Sequence, residues 1–99
     1  MREAISDYFE DDAEMMTRIA YCESKLRQFN ERGRVVRNPV SPDYGVFQIH
    51  KPTWGHEADK LGLDIYTLEG NIEMADHILK TQGIAAWKAS ANCHGYWRN

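Results

Sequence analysis

The chain has 99 residues, of which 42% are hydrophobic and 27% are charged. These values are typical of one soluble globular domain spanning residues 1–99 and leave no room for a second core. The formal net charge of −3 and the lack of a helix-turn-helix, zinc-finger or ribonucleoprotein-type motif argue against nucleic-acid binding. No apolar stretch approaches the roughly 20 residues that a membrane span requires. The charged start has no signal-peptide apolar region, so an export signal is expected to lie outside this sequence.

The first half of the chain predicts two helices. The first covers about the first eight residues and ends near Phe9. The second covers residues 11–26, where Asp11 or Asp12 provides the N-cap and Glu14 favours the positive end of the helix dipole. Four residues at helical spacing form its core-facing stripe: Met16, Ile19, Ala20 and Glu23. Glu23 is therefore predicted to lie among apolar side chains near the end of this helix.

The centre of the chain predicts a small β region, and the rest predicts helices. "RVVR" (34–37) and "YGVFQI" (44–49) are typical of short strands, which would form a hairpin or a three-stranded patch. Helices are then expected from Pro52 to Gly62, over residues 67–83 and over "IAAWKASANC" (84–93). The predicted fold class is α+β and mostly helical.

Two carboxylates, Glu23 and Asp43, occur where a purely structural residue would be apolar or β-branched. Each has a structural interpretation, because Glu23 can turn outward or pair with Arg27 four residues on, and Asp43 can be a turn residue after a proline. Together they also suit glycoside hydrolysis, which needs two carboxyl groups in different environments. An apolar setting keeps one protonated as an acid, and a polar setting keeps the other ionised.

Charge and cysteines leave two questions open. Acidic residues dominate residues 7–14 and basic residues dominate residues 25–37. These segments are either two solvated faces or, for the second, a basic rim that faces an anionic polymer. Cys22 and Cys93 form no CxxC pair, so a zinc site is not expected. From sequence alone they are either two reduced buried thiols or one bridge across most of the chain.

Several segments resemble the lysozyme-like superfamily, in the order in which that superfamily has them. "DYGVFQIHKPTW" resembles the "DYG-apolar-apolar-QIN…W" segment of chicken-type lysozymes. "CES" followed by "FN" resembles the catalytic helix shared by those lysozymes and by lytic transglycosylases. "EGNIEMADHIL" and "GIAAWKASANC" resemble later helices of the two groups. The matches cover residues 15–97, and the set also resembles small lysozyme-like domains of bacterial origin.

The resemblance implies a lysozyme-like fold and a site beside the hairpin. Glu23 matches the general acid, and Asp43 matches the second carboxylate, a nucleophile or stabiliser. The resemblance also implies a structural role for Asn71 and a disulfide between Cys22 and Cys93. The substrate-binding residues that we expect are Gln48, Tyr44, Gly45, Phe47, His50, Trp54 and Trp87. Trp97 is a weaker candidate for stacking on a sugar ring.

The implied function is that of a peptidoglycan muramidase that cleaves the β-1,4 bond between N-acetylmuramic acid and N-acetylglucosamine. The alternatives are a lytic transglycosylase, which leaves 1,6-anhydromuramic ends, and a non-catalytic glycan-binding module. The transglycosylase "YNAG" motif is missing, so either Ser90 or no residue takes the place of its tyrosine in positioning the acid. We expect no metal, since His50 and His56 do not form an HExxH motif, and no organic cofactor. We expect a monomer that acts outside the cell or in the cell envelope.

Overall fold

The computed structural model describes residues 1–96 and is mostly helical with one small antiparallel sheet. Its helices are α1 (Arg2–Phe9), α2 (Ala13–Ser24), α3 (Lys51–Lys60), α4 (Leu68–Gln82) and α5 (Ala91–His94). Short 3-10 segments cover Glu10–Asp12 and Gly83–Ser90. Strands β1 (Asp43–Tyr44) and β2 (Ile49–His50) form a hairpin between α2 and α3. The predicted α+β class is confirmed, although the hairpin is formed by other segments than those predicted.

Helix α2 follows the apolar pattern that predicted it. Asp12 occupies the N-cap position, and Glu14 lies in the first turn. The helix ends because Lys25 and Leu26 both adopt left-handed backbone conformations, with φ of 57° and 63°. Its buried residues are Met16, Ile19, Ala20 and Ser24. Glu23 therefore lies in the last turn of α2, beside the core.

The two predicted strands differ from the structure. Residues 34–37 form no strand and contribute only single bridges, Phe29 with Val35 and Arg37 with Tyr44. The predicted strand over residues 44–49 is interrupted, because residues 45–48 form the turn that joins β1 to β2. In this turn Gly45 and Gln48 have φ of 82° and 51°, values that a strand does not allow.

Two buried side-chain amides explain why an apolar run forms a turn here. The Gln28 side-chain oxygen accepts from the backbone N–H of Val46 at 2.8 Å, and the Asn71 side-chain oxygen accepts from that of Phe47 at 2.9 Å. These side chains supply the partners that a neighbouring strand would otherwise provide. A Cβ on Gly45 would lie 2.2 Å from Asn71 Nδ2, so the turn requires glycine at this position.

Asn71 also connects the hairpin to the start of α4. Its Nδ2 donates to the backbone oxygens of Tyr44 and Ile65, each at 2.8 Å. The side chain is fully buried, and all of its polar atoms have partners. The structural role that the resemblance implied for Asn71 is therefore observed, and it fixes the hairpin that carries Asp43.

The last predicted helix is divided in two. Residues 83–90 form a 3-10 segment in which Trp87 leaves the helical region at φ −112° and ψ 21°, and only Ala91–His94 is α-helical. Trp87 is 4% exposed, and its indole N–H donates to the backbone oxygen of Phe47 at 3.0 Å. Insertion of the indole into the core thus accompanies the break. None of the helices within residues 1–96 is long and apolar enough to cross a membrane.

A disulfide joins Cys22 in α2 to Cys93 in α5 across a sequence separation of 71 residues. The bridge implied by the resemblance is thus present, and the alternative of two reduced thiols is not. It ties the helix that carries Glu23 to the C-terminal segment that follows Trp87.

Removing this bridge should destabilise the fold. Closing a loop of this length restricts the unfolded chain, and the lost entropy raises the free energy of the unfolded state by roughly 4 kcal/mol in the simple model. We expect the double variant Cys22→Ser/Cys93→Ser to lose about 2–4 kcal/mol of unfolding free energy, measured by urea denaturation. The matched control is the parent protein reduced with dithiothreitol, which should show the same loss. Two thiols that alkylate freely in the native, oxidised parent would contradict the bridge.

Candidate active site

A pocket of about 250 Å³ lies between the hairpin, the end of α2, the start of α3 and the segment around Trp87. Six of the residues singled out from the sequence line it: Glu23, Asp43, Gln48, His50, Trp54 and Trp87. Two larger grooves, of about 840 Å³ and 790 Å³, lie elsewhere on the surface and contain neither Glu23 nor Asp43. We regard the 250 Å³ pocket as the candidate site because both Glu23 and Asp43 line it.

Glu23 reaches the pocket in a mostly buried position. Burial raises the pKa of its carboxyl group above the ordinary value. A hydrogen bond from Ser90 opposes this shift, and the nearby negative charge of Asp43 adds to it. The alternative that Glu23 pairs with Arg27 is not observed, since the Arg27 Nε donates to the backbone oxygen of Ser24 at 3.2 Å. Glu23 thus has the setting of a carboxyl group that keeps its proton to a higher pH than an exposed glutamate does.

Ser90 is the direct partner of Glu23. Its hydroxyl lies 2.5 Å from Glu23 Oε2 and 3.1 Å from the backbone oxygen of Trp87. The same Trp87 oxygen lies 3.0 Å from Nε2 of the buried His94. Because His94 Nδ1 accepts from the backbone N–H of Tyr96, the proton is assigned to Nε2, which donates to Trp87. Because the Ser90 hydroxyl has one proton and the Glu23 contact is the shorter, Ser90 donates to Glu23 Oε2, and the Trp87 oxygen accepts from His94.

Asp43 has a polar setting that contrasts with that of Glu23. It begins β1 and lies opposite His50 in the hairpin register. Its Oδ1 lies 2.7 Å from His50 Nδ1, and the side chains of Asp43 and His50 are 23% and 41% exposed. The hairpin therefore presents a hydrogen-bonded, partly solvated carboxylate to the same pocket that receives the buried Glu23.

The amino-acid sequence was compared with those of known proteins. The chain is similar to resuscitation-promoting factor RpfD. It is 33% identical to RpfD of Mycobacterium tuberculosis, in both strain CDC 1551 and strain H37Rv, over 75 residues that make up 76% of this chain. The chain spans less than half of the relatives it matches, 44% of their length. No family model and no solved structure matches the chain.

Gln48, Trp54 and Trp87 line the pocket in different ways. Gln48 Nε2 donates to the backbone oxygens of Gly45 at 3.0 Å and Val36 at 3.4 Å, so its amide also stabilises the turn. Trp54 is partly buried and packs against the core. Trp87 lines the pocket although it is almost wholly buried, whereas Trp97 lies outside the described residues.

Three other residues predicted to bind substrate lie behind the pocket lining. Phe47 is fully buried, with its ring 5.8 Å from that of Phe9 and 6.2 Å from that of Trp87. Gly45 is buried in the turn. The hydroxyl of Tyr44 accepts from Arg37 at 3.2 Å. Their contacts position the hairpin, and direct substrate binding by them stays a prediction.

Some lining residues have no functional signal in the sequence: Ala86 and Ala89, which lie close to Trp87 in the sequence, and Ile49 and Ile78. Ser41, a polar neighbour of Asp43 in the sequence, completes the lining. Small residues beside a candidate tryptophan were the one available clue. Within residues 1–96, no group of three or more His, Cys, Asp or Glu side chains is placed to hold a metal ion.

Ser90 gives a specific test of this geometry. In Ser90→Ala we expect the pKa of Glu23 to rise further, because a hydrogen bond that favours the carboxylate is lost. The alkaline limb of the pH–rate profile should move to higher pH. Turnover of peptidoglycan should fall about tenfold, since the acid loses a positioning contact of roughly 1.5 kcal/mol. Ser90→Thr, which keeps the hydroxyl, is the matched control. A Ser90→Ala variant with an unchanged pH profile would show that this contact does not act on the acid.

Proposed function

We propose that the protein cleaves the β-1,4 bond between N-acetylmuramic acid and N-acetylglucosamine in peptidoglycan. The observation that carries the proposal is the pair of carboxyl groups, Glu23 and Asp43, in one pocket but in opposite environments. The similarity to RpfD and the ordered resemblance to lysozyme-like proteins support the same function. Because the chain spans only part of RpfD, the reaction is proposed from the site of this chain.

In the proposed reaction, Glu23 acts first as a general acid. Its raised pKa keeps a proton available at a pH where an exposed glutamate is ionised. With Oε2 fixed by Ser90, the proton to be transferred lies on Oε1, and Glu23 gives it to the glycosidic oxygen as that bond breaks. Asp43 stabilises or covalently traps the oxocarbenium-like carbon that forms. Glu23, now ionised, then takes a proton from the water that attacks this carbon.

One contact supports a second candidate, a lytic transglycosylase. Asp43 Oδ1 is bound to His50 at 2.7 Å, so a single carboxylate oxygen remains to meet the sugar. If His50 holds Asp43 away from the anomeric carbon, the 6-hydroxyl of the muramic acid would close on it in place of water. The product would then carry a 1,6-anhydro end. Both reactions use Glu23 as the acid, and both place the protein outside the cell or in the envelope.

The proposal is tested by incubating the protein with purified, insoluble peptidoglycan and analysing the supernatant by liquid chromatography and mass spectrometry. We expect soluble muropeptides whose ends lie at muramic acid. Glucosamine ends would assign cleavage to the other glycosidic bond. Binding to the pellet without soluble products would contradict the enzyme proposal and favour a glycan-binding module.

A further inference from the structure

A concave surface lined by three arginines lies on the loop between α2 and β1. Its volume is about 310 Å³, and it is lined by Arg27, Asn30, Glu31, Arg32 and Arg34. We call it the arginine concavity. The proposed reaction uses none of these side chains. Three arginines that line one small concavity make it a candidate site for oxyanions, which guanidinium groups bind.

The loop that carries these arginines is internally fixed. The Asn30 side-chain oxygen accepts from the backbone N–H groups of Arg32 at 2.8 Å and Arg34 at 3.1 Å. The Asn30 N–H donates to the Arg34 oxygen at 2.7 Å, and the Gly33 N–H donates to the Asn30 oxygen at 2.9 Å. Because the backbone is already ordered, a ligand need immobilise only the arginine side chains, which lowers the entropy cost of binding.

The positive charge of the arginine concavity is local, and the one carboxylate in its lining, Glu31, offsets only part of it. Within residues 1–96, none of its three arginines forms an ion pair with a carboxylate, although other carboxylates of the chain do form ion pairs. Glu31 is the only acidic residue of segment 25–37, which holds five basic ones. The whole chain has a net charge of −3. A positive site on a negative protein attracts anions at one place and not over the whole surface.

The loop is also bonded to the hairpin of the candidate active site. Beyond the contact from Gln28 to the turn, the Gly45 N–H donates to the Val36 oxygen at 2.8 Å, and the Asn38 N–H donates to the Asp43 oxygen at 3.1 Å. The loop therefore begins after Glu23 and ends at Asp43. One short segment of the chain thus carries the arginine concavity and, at its end, the Asp43 side of the pocket.

We infer that the arginine concavity binds phosphate or carboxylate groups attached to the wall polymer whose glycan strand enters the pocket. The identity of that polymer rests on the proposed function, whereas the affinity for anions rests on the arginines alone. Guanidinium groups bind both kinds of oxyanion in the same two-pronged geometry. The phosphate would come from phosphodiester polymers attached to the wall, and the carboxylate from its peptide stems.

The test measures binding without cleavage. Arg32→Glu/Arg34→Glu is built in a Glu23→Gln background and pelleted with two preparations of purified wall. One retains its phosphodiester polymers, and the other has been stripped of them with hydrofluoric acid. The matched control is Arg2→Glu/Arg18→Glu, which changes the net charge equally on exposed positions of α1 and α2. Circular dichroism and thermal melting show whether each variant is folded. If the loop variant Arg32→Glu/Arg34→Glu is not folded, Arg32→Gln/Arg34→Gln replaces it.

We expect the loop variant to bind the wall about five- to thirtyfold more weakly at low salt, and the control much less so. The difference should shrink as salt is raised to about 0.5 M, because salt screens exposed charges. If stripping the wall removes the difference, the anion is the phosphodiester, and if the difference persists, it is the stem carboxylate. Equal loss in both variants, or tighter binding to a single-stranded DNA oligonucleotide than to either wall, would overturn the inference. Arginine-dependent binding by a protein that releases no muropeptides would leave the inference intact and reject the proposed function.

Discussion

Replacing Glu23 with glutamine is expected to lower peptidoglycan turnover by at least about 10²–10⁴-fold. Glutamine has nearly the same shape as glutamate. At position 23, near the end of α2, it can still accept the hydrogen bond from Ser90. It cannot donate a proton to the leaving oxygen or remove one from water. The pocket contains no second carboxyl group in a buried setting that could replace it.

The same substitution should not destabilise the protein at neutral pH. Burial raises the pKa of Glu23 in the folded state, so the folded protein binds this proton more tightly than the unfolded chain. The stabilisation from the protonated form is therefore fully present at low pH and is lost as pH rises through the folded-state pKa. Glutamine resembles the protonated form at every pH. We expect Glu23→Gln to melt at or above the parent temperature at pH 7 and to lose this part of the pH dependence.

Glu14→Gln is the matched control, since Glu14 is an exposed carboxylate in the first turn of the same helix. It should keep parental turnover. Activity of the parent should fall as pH rises through the pKa of Glu23, because the ionised form cannot act as an acid. A Glu23→Gln variant that releases muropeptides at the parental rate would remove this residue from the mechanism.

Replacing Asp43 with asparagine is expected to reduce turnover by about 10²-fold or more, with little change in substrate binding. Loss of a preorganised charge aimed at the reacting centre has an effect of this size. Asparagine keeps an oxygen that can lie near His50 Nδ1, so the hairpin should remain folded. The main effect should thus fall on kcat and not on KM. Asp59→Asn, on the exposed face of α3, is the matched control and should behave like the parent.

The product of the parent distinguishes the two proposed reactions. If Asp43 stabilises or traps the anomeric carbon, water completes the reaction and the product has a reducing muramic end with retained configuration, as in glycosidases with closely spaced carboxyl groups. A hydrolysed end is one water heavier than an anhydro end, which mass spectrometry resolves. Anhydro ends together with full activity of Asp43→Asn would assign Asp43 a structural role and favour the transglycosylase.

The helices could be predicted because their signals are local. The apolar spacing in α2 and the stop at Gly83 after α4 lie within or directly beside the segments that they organise. The turn at residues 45–48 could not be predicted, because its acceptors come from Gln28 and Asn71, 18 and 24 positions from their partners. The break at Trp87 depends in the same way on Phe47, 40 positions away.

In the candidate site too, the sequence identifies individual residues, whereas the contacts between distant residues require the structure. Glu23 and Asp43 were identified by their residue types and by the family resemblance, which need no coordinates. The contact between Asp43 and His50 follows from the hairpin register, which the predicted continuous strand over residues 44–49 excludes. Ser90 was the one residue offered for positioning the acid, yet only the packing of the C-terminal segment shows it 2.5 Å from Glu23.

The contact between Ser90 and Glu23 joins positions 67 residues apart, and the disulfide beside it joins positions 71 apart. Local helices form early in folding, whereas contacts between distant positions must await closure of long loops. The chain is therefore expected to acquire most of its helix content before it can protonate a sugar. A nascent chain from which residue 90 has not yet emerged would hold Glu23 without Ser90. Under the proposed function, catalytic competence would then be among the last properties to appear.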